Sequence, residues 1–103
     1  MKIYEGERTL AGAVVTVDGA RLPMRRELHD FCAYFEWTYE GDGPRQLALA
    51  LLADHLGDGA RALRLTEGVM RDVVATLDNA WRLTSAELAA AVAVLEPGAD
   101  ATR

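Results

Sequence analysis

A chain of 103 residues, half of them hydrophobic and 26% charged, has the material for one small domain with a single core and little room for a deep cleft beside it. Eleven basic against sixteen acidic residues leave a formal charge of -5, spread over both halves of the sequence, which weighs against holding a phosphate backbone or an anionic membrane by electrostatics. The single cysteine, Cys32, allows no intrachain disulfide, the first eight residues are too charged for a signal peptide, and no apolar run reaches the ~18 residues of a membrane span, so the expected setting is the cytoplasm.

Residues 2–7 alternate, with Ile3 and Glu5 on one face and Tyr4 on the other, and residues 13–17 are dense in β-branched side chains; both read as strands. Asp18-Gly19 accepts the positive φ of a type I′ turn, so residues 20–22 return alongside until Pro23 ends the pairing. Residues 24–30 lack alternation and read as a helical turn or loop. The most pronounced strand signal covers residues 31–40: Phe31, Ala33, Phe35, Trp37 and Tyr39 share one apolar face, while Cys32, Tyr34, Glu36, Thr38 and Glu40 share the other.

Gly41-Asp42-Gly43-Pro44 breaks that run, and Pro44 suits the first position of a helix. Residues 47–56 are apolar on nearly every side, as expected of a helix buried at the centre of the core. After a turn at residues 57–59, Leu63, Val69, Met70, Val73, Val74 and Leu77 predict a second, amphipathic helix, in which Gly68 implies close approach of a neighbouring backbone. Trp81-Arg82-Leu83 reads as a short extended piece. Thr84-Ser85-Ala86-Glu87 matches a capping box, and the third helix that it opens stops at Glu96-Pro97-Gly98. The order predicts an α+β fold: a small antiparallel sheet of about four strands in the N-terminal part, packed on one face by about three helices. Residues 1–96 form the domain, and residues 97–103 are expected to be a frayed tail.

The segment from Phe35-Glu36-Trp37-Thr38-Tyr39 through Gly41-Asp42-Gly43-Pro44 to Gln46-Leu47-Ala48-Leu49-Ala50 resembles the signature of a family of small uncharacterised proteins from bacteria, archaea and their viruses. In that family an FEW-x-Y strand, a Gly-x-Gly-Pro turn and a QLALA-type helix follow in this order. Thr38 and Glu40 depart from it, standing where glycine or another small residue is expected. The resemblance implies a domain of unknown function in a mobile-element or accessory-gene setting, where small proteins act stoichiometrically on host machinery.

Cys32 with His29, His55 and Asp54 has the residue types of a nucleophilic set, yet Cys32 lies in an aromatic run and His55 near a helix C-terminus, where a positive charge is favoured. With three soft or imidazole candidates in unpatterned spacing, no metal site is expected, nor any cofactor. The turn at residues 41–45 offers a helix N-terminus to an anion through Gly43, Arg45 and Gln46, but its spacing matches no phosphate-binding loop, and a tight turn between strand and helix is the stronger reading.

Glu36, Glu40 and Asp42, joined by Glu5 and Glu7 if the first strand lies alongside, read as an acidic patch on the exposed sheet face, with Tyr34 among them as an aromatic contact. The expected function is a non-enzymatic acidic module that binds a protein partner, a nucleic-acid-handling defence component of the kind an anti-CRISPR inhibitor engages, without touching nucleic acid or membrane itself. One alternative is a ligand- or anion-binding protein, or a minor enzyme, using the turn at residues 41–45 with His55. Another is a homo-oligomer formed through an exposed sheet edge.

Overall fold

In the computed structural model, which describes residues 1–96, Ile3–Thr9 (β1) and Gly12–Val17 (β2) form an antiparallel hairpin. Asp18 and Gly19 take φ values of 49° and 86°, the positive angles of a type I′ turn, and return the chain into Ala20–Arg21 (β3). Pro23 has no N–H to donate and ends that pairing after two residues. β3 therefore covers only the turn end of β2.

The fourth strand is not the one that the alternation predicts. Residues 31–40 form no strand; Trp81–Thr84 (β4) pairs antiparallel with β1 instead, giving the order β3-β2-β1-β4. With β2 on one side and β4 covering Ile3–Gly6 on the other, β1 lies inside the sheet. Thr38 also holds φ at 79°, which a continuous strand cannot include. The period of two survives only at Phe35 and Trp37, which are buried, whereas Ala33 and Tyr39 on the same expected face are exposed.

Asp42–Leu56 (α1), Gly59–Asp72 (α2) and Ser85–Leu95 (α3) complete the α+β architecture, with a single 3₁₀ turn at Val74–Thr76. α2 thus ends before Val73, earlier than its apolar period predicts. Tyr4, Val15, Trp81 and Leu83 project from one face of the sheet into a core shared with α1, whose Leu47, Leu49, Leu51 and Leu52 are wholly buried. Glu5, Glu7 and Arg82 alternate onto the opposite, uncovered face.

α1 opens at Asp42, so Pro44 sits inside the first turn, where its missing N–H still has no helical partner. The capping box forms as expected: the Glu87 N–H donates to Thr84 Oγ1 at 3.1 Å, and the Thr84 N–H to Glu87 Oε1 at 2.9 Å. At Gly68 the close neighbour is a side chain rather than a backbone, since a Cβ there would lie 2.7 Å from Leu95 Cδ2. Among the described residues no helix is long and apolar enough to cross a membrane. The expected tail at residues 97–103 lies outside the described residues.

Candidate functional site

Between β3 and α1 the chain runs through residues 22–41 without regular secondary structure. Connections of this length are uncommon in small domains unless they carry function. Without a ladder, the segment's backbone polar groups need other partners, and two side chains supply them.

The first is Gln46, in the opening turns of α1 and wholly buried. Its Oε1 accepts from the N–H groups of Phe31 at 2.8 Å and Cys32 at 3.1 Å, while Nε2 donates to the carbonyls of Met24 at 2.8 Å and His29 at 3.2 Å. All four hydrogen-bonding positions of the amide are filled. One side chain therefore ties both ends of residues 24–32 to the core helix.

The second is Arg8, near the end of β1 on the same face as Tyr4. Its Nη2 donates to Glu36 Oε1 and to the Trp37 carbonyl, both at 2.8 Å, and to Thr38 Oγ1 at 3.1 Å; Nη1 reaches Asn79 Oδ1. The guanidinium also lies 4.6 Å from the centre of the Trp37 ring, a cation–π contact. Trp37 donates its indole N–H to the Asn79 carbonyl at 3.1 Å and meets Trp81 edge to face at 5.8 Å. Gly43 lets the segment lie against α1, since a Cβ there would come 2.8 Å from Glu36 Cβ.

Held this way, the segment leaves Tyr34 60% and Tyr39 49% exposed. Cys32 beside it holds the Tyr34 hydroxyl above its ordinary pKa, with Tyr39 adding to the effect; burial, then Glu36, raises that of Tyr39. Glu40 and Asp42 are exposed on the same stretch.

The expected acidic patch is divided. Glu5 and Glu7 lie on the open face of the sheet, whereas Glu36 lies on the helix side, ion-paired with Arg8. Asp42 pairs with Arg45 at 2.9 Å, and Arg45 also pairs with Glu67 at 2.8 Å, which holds the Glu67 carboxyl below its usual range. Of the residues considered for an anion, Arg45 is thus engaged by two carboxylates, its N–H donates to the Gly41 carbonyl at 2.9 Å, Gly43 is buried and Gln46 is spent on the clamp.

His55 stands ten residues further along α1, about 15 Å away at ~1.5 Å per residue, so it does not share a site with that turn. His29 packs on Phe31 with ring centres 4.2 Å apart, and Cys32 is held at the opening end of α1. Asp54, near the far end, accepts from the buried Tyr4 hydroxyl at 2.8 Å and from Lys2 Nζ at 3.0 Å; burial, then that hydrogen bond, raises the Tyr4 pKa. The nucleophilic set therefore does not converge. Among the described residues no three of His, Cys, Asp and Glu gather as they would around a metal ion.

Sequence reasoning missed Arg8, the buried amide of Gln46 and the exposure of Tyr39. Two signals were present: an arginine in register with Tyr4 on the inward face of β1, and a glutamine opening an otherwise apolar helix.

Residues 4–94 match the profile of a family of unknown function, DUF6166. The chain belongs to that family. The match takes in nearly all of β1 and α3, both clamping residues and the irregular segment. No curated protein and no solved structure matches the chain.

Proposed function

We propose that this chain is a non-enzymatic module that binds a protein partner stoichiometrically through the surface of residues 31–42, with Tyr34 and Tyr39 as anchors and Glu40 and Asp42 at the rim. The observation that carries this reading is the clamped segment itself: a long irregular stretch, fixed by Gln46 and Arg8, that keeps two tyrosines in water. Tyrosine offers a large contact area with few rotors, and a loop held by a rigid scaffold loses little entropy on binding. Because Glu36 and Asp42 are ion-paired, the weight of the surface falls on the aromatic side chains rather than on free charge.

Glu40, without an ion pair among the described residues, suits a partner with a basic face. The accessory-gene setting implied by the resemblance makes a cytoplasmic, nucleic-acid-handling defence protein the first partner to try, inhibited as an anti-CRISPR protein inhibits its target. The test is affinity capture from host extract with the wild-type chain and with a Tyr34→Ala/Tyr39→Ala double variant of matched melting temperature. A protein held by the wild type and released by the variant is expected. Undiminished retention by the double variant, and by Glu40→Lys, overturns the reading.

A further inference from the structure

The hydrogen bonding of β2 leaves part of its outer edge without a partner. Along a strand, successive residues point their N–H and C=O groups to opposite sides. The Leu22 N–H donates to the Val15 carbonyl at 3.0 Å, so residues 13, 15 and 17 point toward β3, while Val14 and Thr16 point toward β1. β3 pairs only with Thr16 and Val17, and Pro23 then turns the chain away. The N–H and C=O of Ala13 and the N–H of Val15 consequently have no hydrogen-bond partner among the described residues.

Beside this edge is a cavity of about 220 Å³ whose lining includes Ala13, Val15 and Leu22 together with Tyr34 and Phe35. Arg21 is the one charged residue in its lining and makes no ion pair among the described residues. At the hairpin tip, just before Gly12, Leu10 is wholly exposed and packs on nothing in the core.

We infer that the free edge of β2 accepts an extended segment of the partner protein as an added strand. The strand hydrogen-bonds to Ala13 and Val15 and places an apolar side chain in the cavity beside Tyr34. An acidic residue next to that side chain answers the unpaired Arg21, and a further apolar residue covers Leu10. Backbone pairing supplies affinity in such a mode, and the alternate side chains supply specificity. The inference rests on the protein-binding reading above and names the form in which the partner is recognised.

The probe is a displayed library of random linear peptides panned against the folded wild-type chain. Selected peptides are expected to carry an apolar residue beside an acidic one. They should bind Ala13→Pro at least ~10-fold more weakly, because proline removes an edge donor without taking a bond from the ladder with β1. On the wild-type protein, exchange of the Ala13 and Val15 amides should slow by at least ~10-fold when such a peptide is added, whereas the Val14 amide, already paired with β1, should not change. That measurement decides the matter even if Ala13→Pro fails to fold.

A panning that yields no binder, or binders that leave those two amides exchanging freely, overturns the inference. So does concentration-dependent dimerisation that protects the same amides without peptide, because a second copy would then occupy the edge. The tyrosine-dependent capture of a folded partner can succeed in each of these cases, so failure here is distinct from failure of the reading beneath it.

Discussion

Thr38 holds φ at 79°, a region where a β-branched side chain crowds its own backbone, and it occupies a position where the resembled family is expected to carry glycine or another small residue. The strain is held by the Thr38 N–H bond to the Val74 carbonyl at 3.2 Å and by the bond from Arg8 to its hydroxyl. Thr38→Gly removes a penalty of about 1–3 kcal/mol and loses roughly 0.5–1 kcal/mol to the looser unfolded chain, together with the hydroxyl's bonds from Arg8 and to the Trp37 carbonyl. A net gain of about 0.5–1 kcal/mol is expected in urea unfolding, and a loss would show that the hydroxyl, not the backbone, governs this site. Gln46 presents the opposite case. Gln46→Ala strands two N–H and two C=O groups around a wholly buried position, so a loss of at least ~3 kcal/mol is expected, measured by the same titration. A loss under ~1 kcal/mol would mean that water replaces the amide and that the segment is not clamped.

At the level of elements, what was legible in the sequence is what local chemistry decides. The Asp18-Gly19 turn, the all-round apolar α1 and the Thr84/Glu87 capping box each depend on residues adjacent in sequence or one turn apart, and each formed as read. The identity of the fourth strand depends on which segment reaches the free side of β1, a competition that alternation cannot register. Residues 31–40 had the better strand composition, yet β4 took the edge while Arg8 and Gln46, distant in sequence, fixed the loser in an irregular path. The divided acidic patch follows from the same outcome.

His55 shows a second competition. A helix C-terminus favours a charged imidazole, but burial first, and then the nearby charges of Lys2 and Arg61 against that of Asp54, place its pKa below the ordinary 6.5. The unfolded chain therefore binds the proton more tightly than the folded one. The stabilising contribution is complete above pH 6.5 and is lost as pH falls through the lower, folded-state value. Urea unfolding between about pH 7.5 and pH 5 should show wild-type stability declining more steeply than that of His55→Gln; parallel profiles would show that the helix terminus outweighs burial.

Across the whole molecule, the first strand is completed by Trp81–Thr84, far along the sequence. β4 pairs with β1 across most of the sequence, the Ser85 N–H donates to the Lys2 carbonyl at 2.9 Å, and Trp81, Leu83, Leu88 and Val92 enter the same core as Tyr4 and α1. The domain thus has no self-sufficient N-terminal half. A chain ending at Asn79 loses four large buried side chains worth roughly 1.5–3 kcal/mol each, exposes the inner edge of β1 and removes the ring on which Trp37 packs. That sum, roughly 6–12 kcal/mol, equals the entire stability of an ordinary domain of about this size. The truncated chain is expected to lack a cooperative thermal transition and near-ultraviolet dichroism. Adding residues 80–96 as a separate peptide should restore both, because the missing strand and helix are contiguous and the capping box travels with them. A truncated chain that melts cooperatively alone would mean that residues 31–40 can occupy the vacant side of β1 after all, and the same experiment would then show the strand predicted from their alternation.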